Sequence, residues 1–318
     1  MTTLVTGAGL IGTSFARHAI ARGEHVVFFD PEPREDFIAF KLGKSGYTFL
    51  RKDVRDLPAL VAAMQEHKVF SVVHTAGLIG GRVDQSLSAA FDINLGGTRN
   101  VAEAVRLTSV KRLVHISTFG VYDSRRPQDS LIDEDFPRGA GRGYGNFKGA
   151  KELILEAYAA NYKFELIMLR PANVFGFGHF WSGSSGGMKM QALLESGLDN
   201  KPVRIAAADA VNNEYVYGAD MGRAVDLAAT VAMPPVNIFN IGSGRVTPFA
   251  EVVDAVRQIF PALQVEVEAG NSAKSKNTGL DLSRAKKHLG WEPAFTMRAA
   301  LEDYLAELKA ARALRKTP

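Results

Sequence analysis

A doubly wound, parallel-sheet α/β domain of the Rossmann type, followed by a smaller mixed α/β C-terminal lobe, is the fold this chain predicts. Three observations predict it. Short runs rich in Val, Ile, Leu and Phe alternate with amphipathic helical stretches through the first half of the sequence, and strands that read as nearly continuous apolar residues belong to a parallel sheet covered on both faces. The first such run ends in a glycine turn that opens a helix, the start of a dinucleotide-binding unit. At 318 residues the chain also exceeds what one simple core usually supports, so a second lobe is expected.

Taken in order, strands are predicted over Thr3 to Thr6, Val26 to Asp30, Tyr47 to Leu50, Phe70 to Thr75, Arg112 to Ser117 and Leu166 to Arg170. A helix follows the first strand through Ala21, and longer ones run from about Gln85 to Arg106 and from Tyr144 to Tyr162. From about residue 175 the rhythm loosens into a glycine and serine stretch, Gly176 to Gly187, within which Ser182 to Gly187 is of low complexity. Short strands then recur at Val203 to Ala206, Asn237 to Ile241 and Val265 to Glu268. Residues 1–174 are therefore assigned to a dinucleotide-binding domain carrying the catalytic residues. Residues 175–318 form mainly a substrate-binding lobe, some segments of which return to the first domain.

Composition narrows the function. Apolar residues make up 46% and charged residues 23%, an ordinary globular balance. The net charge of +4 includes no lysine and arginine run that reads as a nucleic-acid arm, so no nucleic-acid partner is expected. Without cysteine there is no disulfide framework, thiolate metal site or cysteine nucleophile, and no metal is expected. The strand at the very start leaves no room for a signal peptide, and no apolar stretch is long enough to span a bilayer. A cytoplasmic protein with no membrane partner is expected.

The run Thr6 Gly7 Ala8 Gly9 Leu10 Ile11 Gly12 has the strand-to-helix context that a GxGxxG motif requires. Gly7 permits the turn, Gly9 lets backbone approach a pyrophosphate, and Gly12 lets the helix pack on its strand, while free N–H groups at Leu10 and Ile11 face the anion. Asp30, at the end of the second strand, can accept hydrogen bonds from a ribose diol and would repel a 2′-phosphate, which favours NAD over NADP. Arg34 nearby is the one residue that argues for the phosphate. Asp53 and Val54 follow the third strand, where a carboxylate can meet the adenine amino group or cap a helix.

Tyr144 and Lys148 are four residues apart, so on a helix the phenol and the ammonium share a face. A tyrosine acting as a base near neutral pH needs its pKa lowered by roughly two to three units, about 3 to 4 kcal/mol, much of which a fixed ammonium can supply. Thr118, at the end of the fifth strand, is the upstream hydroxyl that gives the pair a task, with Ser117 as its competitor.

With these motifs the chain resembles the extended short-chain dehydrogenase/reductases, the group that contains nucleotide-sugar epimerases and dehydratases. The resemblance also rests on Val73 to Gly77, Asp92 to Thr98, Ile116 to Tyr122, Leu169 to Gly176, Asn240 to Gly244, and Asp281 to Ala285 through Leu289 Gly290 Trp291. It implies that Thr118 hydrogen-bonds the substrate oxygen, Tyr144 takes or returns its proton, and Lys148 holds the phenolate and the nicotinamide ribose. Hydride then moves between that carbon and NAD. It further implies that Thr75, Ala76, Gly77, Asn94, Ser117 and the segment Pro171, Ala172, Asn173 line the cofactor and substrate cleft. The helices at 85–106 and 144–162 are implied to pair across a two-fold in a homodimer.

Three departures from the family pattern narrow the substrate. The glycine loop is one residue shorter than the usual TGxxGxxG. Phe119 Gly120 follow Thr118 where dehydratases carry an Asp and Glu pair, so elimination of water is not expected. Where the family grips a nucleotide diphosphate with two arginines, this chain has Asn213, in Asn213 Glu214 Tyr215 Val216, and Asn271. Lys274 or Lys276 are the available replacements; otherwise the substrate is smaller or less anionic than a nucleotide sugar. His179, Trp181, Lys189 and Asn173 are the candidate substrate contacts. The expectation is an NAD-dependent epimerase or dehydrogenase acting on a secondary alcohol carbon of a sugar or sugar-like molecule. The alternatives are a nucleotide-sugar 4-epimerase with unusual diphosphate contacts and a non-catalytic NAD sensor.

Overall fold

The computed structural model describes residues 1–127, 130–139, 141, 143–178, 185–271 and 278–316. Its centre is a seven-stranded parallel sheet. In chain order the strands and helices are β1 (Thr2–Thr6), α1 (Leu10–Ala21), β2 (His25–Phe29), α2 (Glu35–Leu42), β3 (Tyr47–Leu50), α3 (Leu57–Glu66), β4 (Ser71–His74), α4 (Gly81–Gln85) and α5 (Leu87–Ala90). They continue with α6 (Gly97–Thr108), β5 (Arg112–Ile116), α7 (Gly143–Tyr162), β6 (Glu165–Pro171), β7 (Asn173–Phe175), α8 (Ser185–Leu198), β8 (Val203–Ile205), β9 (Tyr215–Tyr217), α9 (Gly218–Thr230), β10 (Ile238–Ile241), α10 (Phe249–Arg257), β11 (Val265–Val267) and α11 (Met297–Lys316). The sheet order is β10-β6-β5-β4-β1-β2-β3.

Consecutive strand residues feed opposite cores, which is why the strands read as unbroken apolar runs. Val5, Phe28, Val73, Val114 and Ile167 face one core with Phe15 of α1 and Met221 and Val225 of α9. Leu4, Val27, Val72, Leu113 and Leu166 face the other with Leu60 and Met64 of α3, Val101 and Val105 of α6 and Leu155 of α7. Both cores are built on fully buried side chains.

The strand at 237–241 lies in the main sheet, paired with β6 as its outermost strand, Phe239 opposite Leu169. Helix α9 likewise lies on α1, where Gly222 is indispensable: a Cβ there would sit 2.7 Å from the Ser14 carbonyl carbon. Trp291, fully buried, fastens this return by donating to the Asp220 carbonyl at 3.0 Å, while the Asp220 carboxylate accepts from the N–H groups of Ala294 and Phe295. The predicted helix of 85–106 is broken by a π-helical turn, Phe91–Gly96, a wider turn that often marks a functional site. It lets Asn94 reach the main chain of Leu78 with both ends of its amide, at 2.7 and 3.0 Å.

Between the ends of β4 and β5 and the helices α6 and α7 lies a polar layer. His74 is held between the hydroxyls of Thr6 (2.7 Å) and Thr98 (2.9 Å). His115, fully buried and 5.3 Å from the His74 ring, has neither ring nitrogen in hydrogen-bond geometry with a described residue. Burial, reinforced by Lys151 and Lys148, holds the His115 imidazolium well below the ordinary histidine range. An unfolded chain protonates this ring as pH falls through about 6.5 while the folded chain resists, so folding loses stability at this site as pH falls below that value. We expect His115→Phe to lose less thermal stability than wild type between pH 7.5 and 5 in melting scans. Equal losses would mean that the ring is protonated and satisfied in the fold.

Candidate active site and cofactor cleft

The C-terminal ends of β1, β2, β4, β5 and β6 open into one cavity of about 770 Å³. Gly7, Gly9, Leu10, Ile11, Asp30, Asp53, Val54, Thr75, Ala76, Gly77, Ser117, Thr118, Tyr144, Lys148, Pro171, Ala172 and Asn173 all line it. Gly12 and Asn94 stand behind its wall. A Cβ on Gly12 would lie 2.4 Å from the Gly7 carbonyl oxygen, so its glycine serves helix-on-turn packing. Gly7 itself has φ +89°, and a Cβ there would meet Thr75 Oγ1 at 2.4 Å.

These residues fit a dinucleotide. Gly9 is the N-cap of α1 and supplies no capping side chain, which leaves the helix N-terminus to an anion. Apart from Gly9 itself and its two chain neighbours, no atom comes within 4 Å of where its Cβ would stand, so backbone and ligand can approach. The Asp30 carboxylate accepts from the N–H of Ala8 (2.8 Å) and of Glu32 (2.8 Å), which ties the glycine loop to the end of β2 and fixes one acidic group in the cavity lining. Arg34 is engaged by Asp36 at 3.0 Å and is not among the lining residues, so it is not placed to hold a 2′-phosphate. Asp53 pairs with Arg55 at 2.7 Å, and this hydrogen bond holds its carboxyl below the usual range. The capping function belongs to Asp56, which accepts from Ala59 N at the start of α3.

At the other end of the cavity Tyr144 and Lys148 share one face of α7. Lys148 donates to the Ile116 carbonyl at 2.6 Å and lies 5.9 Å from the centre of the Tyr144 ring. Burial lowers its pKa to about 8, with Glu152 acting in the opposite direction. Burial pushes the Tyr144 phenol above the ordinary tyrosine range, and the Thr118 hydroxyl pulls the other way. Burial therefore keeps the phenol neutral, while the ammonium is held on a backbone carbonyl. Thr118 Oγ1 accepts from Gly120 N at 3.1 Å, capping the short turn Phe119–Val121. Ser117, the competing hydroxyl, is turned away to donate to Glu152.

Glu152 is a residue that sequence reasoning misses. Fully buried, it accepts from Arg170 Nη2 (2.7 Å) and Nε (2.9 Å), from Arg138 (3.0 Å) and from Ser117. Burial alone would raise its pKa, yet these donors, Arg170 foremost, leave it lowered. Leu78 and Ile79 on the loop after β4 and Arg82 on α4, which line the cavity, are also missed.

The candidate substrate contacts fare differently. His179 and Trp181, like Lys274 and Lys276, lie outside the described residues. Lys189 is buried between the rings of Tyr215 and Phe249, donates to the Asp209 carbonyl at 2.6 Å, and does not line the cavity. Asn173 does line it, with its amide donating to the Glu214 carbonyl at 2.9 Å. Asn213 is fixed by main-chain hydrogen bonds with Thr247, and the Glu214 carboxylate receives Gly244 N (2.8 Å) and Leu280 N (2.7 Å). The segment that carries a diphosphate arginine elsewhere in the family here ties loops together.

A family model described as the NAD dependent epimerase/dehydratase family matches residues 3–242. A UDP-glucose 4-epimerase of Mycolicibacterium smegmatis is 29% identical over 92% of this chain and 94% of its own length. A UDP-glucuronate 4-epimerase of Thermodesulfobacterium geofontis is 25% identical over 94% and 93%. The crystal structure of a Thermus thermophilus UDP-glucose 4-epimerase in complex with NAD superposes with a TM-score of 0.83 at 26% identity, covering 98% of this chain and 100% of that one. Motifs, fold, cleft and relatives agree that the chain belongs to the NAD-dependent epimerase/dehydratase family and is an NAD-dependent enzyme of sugar or sugar-like alcohols.

Proposed function

We propose that this enzyme oxidises a secondary alcohol carbon by handing its hydride to NAD, with Tyr144 as the proton acceptor, Thr118 as the hydrogen-bond partner of the reacting oxygen and Lys148 as the charge that favours the phenolate. The observation that carries the proposal is the convergence of those three side chains on the cavity that begins at the glycine loop. NAD, when bound, supplies the hydride-accepting ring. Gly7 to Ile11 would receive its pyrophosphate, Asp30 the adenosine ribose, and Lys148 the ribose beside the reacting ring. Lys148, with a pKa near 8, is mostly an ammonium at neutral pH, and once drawn from the Ile116 carbonyl toward the phenol it would oppose the burial that keeps Tyr144 neutral.

The substrate we favour is a free sugar, sugar acid or related hydroxy compound, because Asn213 and Asn271 replace cations that a nucleotide diphosphate needs. The names of the relatives favour the second reading, a nucleotide-sugar 4-epimerase. We also propose a cytoplasmic homodimer. In support, Leu87 of α5, Phe91 and Leu153 of α7 are more than half exposed, and among the described residues no helix is long and apolar enough to cross a membrane.

Denaturing the purified protein and assaying released NAD and NADH, then following NADH absorbance with NAD and a panel of sugars, sugar acids and sugar nucleotides, tests this reading. Net NADH from a non-nucleotide substrate supports it. Retained NAD with interconversion of a nucleotide sugar and no net NADH establishes the second reading.

A further inference from the structure

Lys151 sits in the polar layer directly behind the cofactor cleft. It is fully buried, lies one turn beyond Lys148 on α7, and donates to the carbonyl of Ala76, a cavity-lining residue, at 3.0 Å. Its Nζ would be 3.3 Å from a Cβ on Gly77, the next lining residue. No carboxylate pairs with it among the described residues. Facing it are His74 on β4 and His115 on β5, both kept neutral by burial, Asn94 on the π-helical turn and Thr98 on α6. On its own helix are Lys148, which repels it, and Glu152, whose oxygens are taken by Arg170, Arg138 and Ser117. On α4, Asp84 lies at the Gly143 end of α7, two turns away, and Arg82 lines the cavity. On α6, Glu103 is paired with Arg106, and Arg99 donates to Asn100.

A fully buried amine with no anion is a costly way to donate one hydrogen bond, since a neutral polar group would do the same. What distinguishes lysine is that it can change charge. The bound cofactor changes charge too: its nicotinamide ring is cationic when oxidised and neutral when reduced, while the diphosphate is the same in both.

We infer that Lys151 is a positioning residue that gains a proton when the cofactor in the cleft is reduced and loses it when the cofactor is oxidised, so that enzyme-bound NADH is favoured as pH falls. Burial and Lys148 already hold its proton loosely, so a change of charge in the cleft that Lys151 backs onto shifts that proton. By linkage, the ratio of the Kd for NAD to that for NADH rises as pH falls, by up to about tenfold per pH unit while Lys151 titrates in only one of the two complexes. The inference rests on NAD occupying the cleft and is independent of the substrate.

Calorimetric titrations of NAD and NADH into the substrate-free protein, in two buffers of different ionisation enthalpy between pH 7 and 9, count the protons taken up. In wild type NADH binding takes up more protons than NAD binding. Lys151→Gln keeps a donor for the Ala76 carbonyl but cannot titrate, and Lys151→Met removes both. We expect the uptake difference and the pH slope of the Kd ratio to shrink in both variants, leaving only the share of Lys148. An unchanged difference in a Lys151→Gln protein that binds both dinucleotides overturns the inference. Should neither variant fold, lysine 13Cε resonances of the wild-type holoprotein decide: two buried lysines shifting between the NAD and NADH complexes support it, and a single one overturns it. Protein that binds neither dinucleotide overturns the cofactor reading itself and is recognised by the absence of any binding heat.

Discussion

Tyr144→Phe lowers kcat by about 10³-fold, the size of a lost general acid–base step, while NAD binding stays close to that of wild type. In the proposed reaction the phenol takes the proton from the substrate oxygen. Thr118 is close enough to influence its titration, and Lys148 lies 5.9 Å from its ring. The glycine loop and Asp30, proposed to hold the dinucleotide, are formed by other elements and do not depend on the hydroxyl. Removing one oxygen from a ring that keeps its place should not disturb α7. Steady-state NADH formation or epimer interconversion, together with a fluorescence titration of NADH, separates the two effects. Turnover above a tenth of wild type would show that another group, with Thr118 the first suspect, moves the proton. A comparable fall in both turnover and dinucleotide affinity would show instead that the phenol is part of the cofactor site.

The parts of this site that are legible in the sequence are those written in local pattern. The glycine loop needs a strand, a turn and a helix within ten residues, and Tyr144 and Lys148 need only one helical turn. The six strands of the first half are legible because each feeds two cores at once, which leaves a short uninterrupted apolar run such as Val72 Val73 or Leu113 Val114. What stays hidden is set by distant pairing. The strand Ile238–Ile241 looks like other short strands of the second half, and only its register with β6 makes it part of the main sheet. The π-helical turn follows from the need of Asn94 to reach Leu78, sixteen positions away. A lysine beside a glycine-rich loop reads as an exposed substrate contact; the aromatic rings that cover Lys189, Tyr215 and Phe249, come from later segments. One signal for the buried network is present. Arg170 stands in an otherwise apolar strand, which calls for a carboxylate, and Glu152 is eight residues after Tyr144, on the same side of the helix.

That network is where a single substitution should cost the fold most. Glu152→Ala leaves the Arg170 guanidinium buried without its carboxylate, a change that typically costs about 3 to 5 kcal/mol and should lower Tm on the order of 10 °C. Arg170 is nearly inaccessible to solvent and would be left with the Glu134 carbonyl at 3.0 Å and Tyr122, whose ring centre lies 4.9 Å away, so no water can replace the lost carboxylate cheaply. The Ser117 hydroxyl loses its acceptor as well, at the point where β5 delivers Thr118 to the cleft. The cost belongs to the orphaned charge more than to the pair, because two buried ions give back in mutual attraction little more than their lost hydration. The double variant Glu152→Leu with Arg170→Met should therefore recover a large part of the stability lost by Glu152→Ala, and a double-variant cycle from thermal melts measures that coupling. If the double variant is as unstable as the single one, the network is needed for its shape and not only for charge balance. Activity gives an independent reading: Glu152 raises the pKa of Lys148, so even a folded double variant should lose the ammonium at lower pH, and its pH–rate profile should fall away earlier on the alkaline side.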